Sequence, residues 1–489
     1  MEAIGKPAAR DLGSSFRDPG GAVFRWDARV FRVVNALGED DLAAFLGTPS
    51  CNQAVERGQI VGTRLLSDEE TRSLLSNLEI RSVFDSVSGR ILLEHQRIAF
   101  PSFPYEWAPE MLHAAGELTL DLAQSVLSGG IGLKDGTPYN VLFRGPEPVF
   151  IDVLSFERRR PGDPTWLPYA QFVRTFLLPL LVQKYFGLGL DQLLSTRRDG
   201  IEPEEVYRFA GPVQRLKPPF LSLVSIPTWL GGSRNLDPDD PIYRKKTLDD
   251  PAKAEYILQT LLRGLRRSLA KVAPRTGRTS TWSDYMVSNL NYSADHFAAK
   301  QSFVSEVLAE FAPKRVLDVG CNTGHFSAIA ARAGASVVSI DYDPVVVGDV
   351  WRRARAEKLD ILPLVVNLAR PTASTGWRNR ECPSFLERAR GNFDVVFMLA
   401  VIHHMLVTER VPLDDILKLA AELTNDLLVV EFVTPEDAMF KRLVRGREGL
   451  HQGLTHEVFE AACRRHFDIV RSQHLEGATR WLYALRKRR

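Results

Sequence analysis

Cysteine is scarce in this chain. Its 489 residues hold four, Cys51, Cys321, Cys382 and Cys463, far apart and without a C-x-x-C pair. That argues against a zinc ribbon or a disulfide framework and predicts a reducing, cytoplasmic setting. Long apolar runs are missing too. The stretch around Phe176–Val182 falls short of the roughly 20 residues a membrane helix needs, and Pro179 interrupts it. The N-terminus lacks the basic-then-apolar layout of a secretion signal. No sign of charge dominates: 62 Lys and Arg against 60 Asp and Glu leave +2, so no global field points to nucleic acid or a membrane. One absence is local. Between Lys6 and Lys134 there is no lysine.

What is present is ordinary for a globular protein, with 45% hydrophobic and 25% charged residues, in a chain too long for one core. Four regions are expected: a small α+β lobe over residues 1–90, a mostly helical region over 91–250 with a Pro-rich extension, a helical linker or lid over 251–313, and a final domain over 314–489. Ala22–Val34 reads as a hairpin around Asp27 and Ala28. Pro212 to Pro241 reads as an extended stretch. Arg263, Arg266 and Arg267 on the helix expected over Pro251–Val272 read as a solvated face. Aromatic residues around Trp282, Tyr285 and Tyr292, followed by Lys300, suit either a lid or ordinary packing.

From Lys314 the pattern becomes regular. Strands are expected at Arg315–Val319, Ser336–Ile340, Ile361–Val366, Phe393–Val401 and Leu427–Phe432, with helices between them. This alternation gives a parallel sheet covered on both faces. Two strand-like runs, Phe467–Gln473 and Arg480–Leu485, look like a terminal antiparallel pair. The turn from the first strand into its helix runs from Val316 to Phe326 and contains Asp318, Gly320, Cys321, Asn322 and Gly324. Its glycines allow a tight turn and close approach of a ligand. Asp341 ends the second strand, where an acid can accept hydrogen bonds from two ribose hydroxyls. A dinucleotide site asks for G-x-G-x-x-G beside a pyrophosphate. Here Asp318 stands at that place. A carboxylate repels a diphosphate and attracts an ammonium group.

This turn resembles the first motif of class I S-adenosyl-L-methionine-dependent methyltransferases, and the resemblance covers about residues 314–485. It implies an α/β, Rossmann-like seven-stranded domain with S-adenosyl-L-methionine as cofactor. Asp318 and Gly320 would face the methionine part, Asp341 the ribose and Tyr342 the adenine. Phe393–Val396 matches the family's fourth strand, and Leu399–His404 the loop beside the methyl group. Asn367 stands where the family often has an acid reading adenine.

Methyl transfer is a direct displacement, which needs alignment and, for a protonated nucleophile, a base. His403 and His404 follow the fourth strand and Glu431 ends the fifth, so these three are the candidate catalytic residues, His404 foremost. The expected acceptor atom is O or N, on a small molecule or glycan rather than nucleic acid. His456-Glu457 lacks the second histidine of a zinc-protease motif.

In the N-terminal half, Asp135 and Asn140 form D-x-x-x-x-N, and Asp152 follows a β-like run. This resembles the catalytic loop of kinase-like folds, whose base and magnesium ligands these residues would be. Leu133 stands where that loop has histidine, Val153-Leu154 follows Asp152, and Arg32 replaces the small-lobe lysine only imperfectly, since Arg and Lys differ in geometry. The expectation is a degenerate kinase-like fold acting as a substrate-binding or docking module. A bifunctional phosphotransferase/methyltransferase and a non-catalytic cofactor-binding adaptor are the alternatives. The phrases from Leu93 to Phe100, Tyr105 to Trp107 and Tyr139 to Phe143 resemble two-part bacterial methyltransferase proteins, a host-specific nodulation protein among them.

Overall fold

The computed structural model describes residues 17–231, 247–275, 277, 279–280, 294–446, 448–451 and 453–488. The aromatic segment from Trp282 to Tyr292, read as either a lid or ordinary packing, lies outside them.

The N-terminal hairpin forms. Strands β1 (Gly21–Trp26) and β2 (Arg29–Asn35) pair antiparallel from Gly21↔Val34 to Trp26↔Arg29. Asp27 and Ala28 turn it with φ of 47° and 62°, the mirror-image turn that suits strand twist. With β3 (Thr63–Leu65) and β4 (Gly89–His95) they make a sheet of order β1-β2-β4-β3. Phe24, Phe31, Val33 and Leu92 pack on one face against Leu66 and Ile80. Strand β4 runs through residue 90, so the small lobe extends past the expected boundary to His95.

Next comes helix Pro109–Ser125, opened by proline in its first turn and buried on most sides. Short strands β5 (Ile131–Leu133) and β8 (Phe156–Arg158) pair antiparallel, and β6 (Val141–Arg144) and β7 (Glu147–Phe150) form a hairpin between them. The helix Pro251–Val272 buries Leu258, Leu262, Leu265 and Leu269, a stripe at helical spacing. Arg263 and Arg267 are exposed, and Arg266 pairs with Asp121 at the surface.

The Pro-rich stretch is a correction: its described part, 212–231, is helical rather than extended. Pro212 opens a helix, and Pro227 follows a π-helical turn, so each missing N–H falls where an α-helical bond is already absent.

The last domain is built on seven strands: β9 (Arg315–Val319), β10 (Ser336–Asp341), β11 (Ile361–Val365), β12 (Phe393–Met398), β13 (Thr424–Val433), β14 (Phe467–His474) and β15 (Arg480–Lys487). Their order is β11-β10-β9-β12-β13-β15-β14. The first five are parallel, and β15 enters antiparallel between β13 and β14. Two expectations change. The fourth strand stops at Met398, and residues 402–407 form a short helix. Helix Ala294–Phe311, placed in a linker, instead puts Phe303, Val304, Val307 and Leu308 into one buried cluster with Val316 of β9, Val337 of β10 and Leu482 of β15.

The two halves share one core. Phe100, Tyr105 and Trp107 from the first belong to the same buried cluster as Leu364, Phe385 and Phe393 from the second. Trp351 donates its indole N–H to the Pro146 carbonyl at 2.9 Å, and Arg388 pairs with Glu106, both side chains buried.

Candidate functional site

Strand β9 pairs with β10 on one side and β12 on the other, so the chain direction reverses across the sheet at β9. Ligands of such sheets bind beyond the carboxyl ends of the strands at that point. Gly320 stands there with φ of 66°, and a Cβ on it would meet Val401 Cγ2 at 2.5 Å. Gly320 N–H and Cys321 N–H both donate to the Ile340 carbonyl, which fastens the turn to the end of β10. Gly324, with φ of 73°, starts helix His325–Arg332 against Val350.

Asp318 is buried. Its Oδ2 accepts from Ser327 Oγ, and Ser327 in turn accepts from Ser339 Oγ at 2.8 Å. Asp341 Oδ2 accepts the Asn322 N–H at 3.0 Å and Oδ1 the Asp343 N–H at 3.1 Å. Burial pushes each of these two carboxyls up to about 6. Two buried acids with raised pKa thus stand at neighbouring strand ends. Burial also pushes the Cys321 thiol well up, which keeps it protonated.

The remaining expected cofactor positions fall around this turn. Phe326 is half-buried, and Lys300 Nζ lies 4.9 Å from its ring centroid. Tyr342 is 55% exposed at the end of β10. Leu399 is buried after β12. Asn367 follows β11, close to Asp341 through the Val366 N–H···O Asp341 bond. Its Oδ1 accepts from Ala369 N–H at 2.9 Å and its Nδ2 faces Glu409, so much of its amide serves the local turn.

The three expected catalytic residues differ in setting. Glu431 is fully buried between two cations, Lys300 at 2.6 Å and Arg480 at 3.0 Å, and Arg480 also reaches Asp437 at 2.9 Å. His403 is buried, and neither ring nitrogen has a hydrogen-bond partner among the described residues. Burial first, then His404, holds it well below the usual histidine range, and Glu431 opposes that. His404 is half-buried, and burial lowers it too. Ala400, at φ of 58°, bends the chain between β12 and this helix. Arg480, Asp437 and Ser327 were missed in the sequence. Each acts through a partner 9 to 49 positions away, which spacing alone does not reveal.

The N-terminal residues also come together. Arg32 on β2 pairs with Asp152 at 2.8 Å and Asp18 at 3.4 Å. Ser155 donates to Asp152 Oδ2 and accepts from Asn140 Nδ2 at 3.0 Å. Asp135 faces Asp152; burial first and then that neighbour push its carboxyl up. Among the described residues no three His, Cys, Asp or Glu side chains stand close enough to hold a metal ion. No helix among them is long and apolar enough to cross a membrane.

Comparison with known proteins adds four findings. Residues 292–480 match the family described as a methyltransferase domain. The nodulation protein NoeA of Rhizobium meliloti (strain 1021) is 27% identical over 482 residues, spanning 98% of this chain and 97% of NoeA. Among solved structures, the N-methyltransferase NodS from Bradyrhizobium japonicum WM9, in complex with S-adenosyl-L-homocysteine, is 15% identical with a TM-score of 0.31, over 41% of this chain and 92% of NodS. The bifunctional kinase-methyltransferase WbdD is 17% identical with a TM-score of 0.29, over 45% of each chain. Residues 292–480, which carry all but the last strand of the seven-stranded sheet, are thus similar to the methyltransferase domain family.

Proposed function

We propose that this protein transfers the methyl group of S-adenosyl-L-methionine to an oxygen or nitrogen of a small molecule or glycan. The observation that carries the reading is the pair Asp318 and Asp341, two buried carboxylates at adjacent strand ends around Gly320. Asp318 receives the ammonium of the methionine part. Asp341 keeps lone pairs beyond its backbone bonds for the ribose hydroxyls. The charges suit a cation and not a pyrophosphate.

His403 and His404 stand where the acceptor meets the methyl group. A neutral imidazole accepts the proton that a hydroxyl or amine loses as it attacks. Glu431, held between Lys300 and Arg480, positions that end of the site rather than moving a proton. The N-terminal half serves as a docking module for the acceptor, fixed to the catalytic domain by the shared core.

Calorimetry with S-adenosyl-L-methionine tests the reading. One site per chain is expected, weakened at least tenfold in Asp341→Ala. Folded protein that binds no cofactor overturns it.

A further inference from the structure

A groove of about 470 Å³ opens beside the candidate methyl-transfer site, and its walls are apolar. Leu406 and Val407 come from the short helix Ile402–Val407 and Leu443 from helix Ala438–Val444. Leu450 and Leu454 come from the chain that follows, and Val458 from helix His456–Cys463. The floor is packed: Val407 and Leu454 rest on the buried cluster of Val433, Phe440 and Val444. The rim is open, with Leu450 72% and Val458 48% exposed. Single apolar side chains at a surface are ordinary, but a concave set of them is the usual lining of a ligand pocket.

Two relationships put the groove at the acceptor end of the site. Val433 closes β13 just after Glu431, so the floor lies at the carboxyl edge of the sheet. The helix Ile402–Val407 carries His403 in its first turn, and Leu406 and Val407 three and four positions on. That spacing puts side chains on one helix face, one turn or about 5.4 Å apart. A molecule lying along this face reaches from the groove to the histidines.

The polar groups at the mouth narrow the chemistry. Arg410 is exposed and pairs with no acid among the described residues. It holds left-handed backbone at φ of 56°, a strain that collects where ligands are gripped. His451 also faces the groove, edge-on to Phe440 at 5.6 Å. Among the described residues no aspartate or glutamate lines it.

We infer that the methyl acceptor is an anionic amphiphile. Its alkyl or aromatic portion fills the groove, its acidic group meets Arg410, and its nucleophile lies along the helix at His403 and His404. Apolar burial supplies most of the affinity, and the guanidinium fixes the orientation. This rests on the methyltransferase reading above and extends it to a class of substrate.

The test uses the full chain and decanoate, below the concentration at which it forms micelles, with butyrate and decanol for comparison. Calorimetry should find one decanoate site, at least tenfold tighter than butyrate. The ring proton signals of His451 and His404, each assigned by its loss in the glutamine variant, should both move as decanoate binds. Leu443→Trp fills the groove and should weaken decanoate at least tenfold while leaving S-adenosyl-L-methionine binding unchanged. Val458→Glu, at an exposed position, is the second variant should Leu443→Trp fold poorly. Arg410→Gln should weaken decanoate at least threefold and spare decanol. No decanoate site in folded protein, or a site indifferent to both groove variants, overturns the groove. Movement of His451 without His404 overturns its link to the acceptor. Equal loss of decanoate and decanol in Arg410→Gln overturns the acidic group. Cofactor binding is measured on the same samples, so failure of the methyltransferase reading is seen apart from failure of the groove.

Discussion

Lys300 and Glu431 are joined at 2.6 Å across 131 positions of sequence, with Glu431 fully buried and Lys300 nearly so. Their contact ties the helix before the sheet to the end of its fifth strand, beneath the place assigned to the methyl acceptor. Truncating the cation leaves a buried carboxylate that has lost one of the two cations beside it, with Arg480 still at 3.0 Å. Lys300→Met is expected to cost about 3 kcal/mol, the lower end for a broken buried pair. Adding Glu431→Gln should recover much of it. Chemical denaturation of the three proteins measures both effects.

Cofactor affinity should depend on pH through Asp318 and Asp341. Both must be ionised to meet the ammonium and the ribose, and both titrate near 6 in the free protein. Binding therefore strengthens as pH rises from 5 to 7 and levels off above. Stability of the free protein runs the other way. These acids bind protons more tightly folded than unfolded, where the value is 3.8, so their contribution is present at low pH and is lost as pH rises from about 4 to 6. Calorimetric titrations and thermal melts at several pH values should show the two opposite trends.

His403 should be neutral throughout the physiological range. Its folded pKa lies well below 6.5, so its share of stability is present above that value and is lost as pH falls beneath it. The ring C–H signal assigned to His403 by proton NMR is expected to stay flat between pH 5.5 and 8, and to be the signal missing from His403→Gln. A titration midpoint near 6.5 contradicts the buried setting.

Gly320→Ala places a side chain in left-handed backbone, at about 1–2 kcal/mol, and against Val401 at 2.5 Å. The sheet around it is deeply packed, so the protein is expected to fold. The loss should appear chiefly as weaker cofactor binding, read by calorimetry.

Arg388→Met breaks the buried pair with Glu106 that crosses between the halves. A loss of about 3–5 kcal/mol is expected, together with a single unfolding transition in both proteins, followed by calorimetric scanning. Two separate transitions in the wild type contradict the shared core.

Most of the catalytic sheet was legible in the sequence because its signals are local. Short apolar runs between helices gave β9 to β13, and Asp318, Gly320 and Asp341 lie within 24 positions on consecutive elements. Elements decided by distant contacts were hidden. The strand expected to reach Val401 ends at Met398 because Ala400 takes a left-handed turn and Val401 closes on Gly320. The helix Ala294–Phe311 reads as a linker until its apolar face joins the cluster buried against the sheet. The Pro-rich stretch misled because composition says nothing of whether a proline falls at a helix start. Asp135, Asn140 and Asp152 were visible as a motif, whereas the role of Arg32 required the pairing of β2 with its sheet.

The common core has a consequence for how such a protein can change over generations. Trp351 bonding to Pro146, and Phe100 packed beside Phe385 and Phe393, leave no seam along which one half can be exchanged for that of a relative. Recombination at the junction would expose aromatic surface on both sides. New acceptor preferences therefore have to arise by point substitution within an inherited pair, with each half constraining the mutations that the other tolerates.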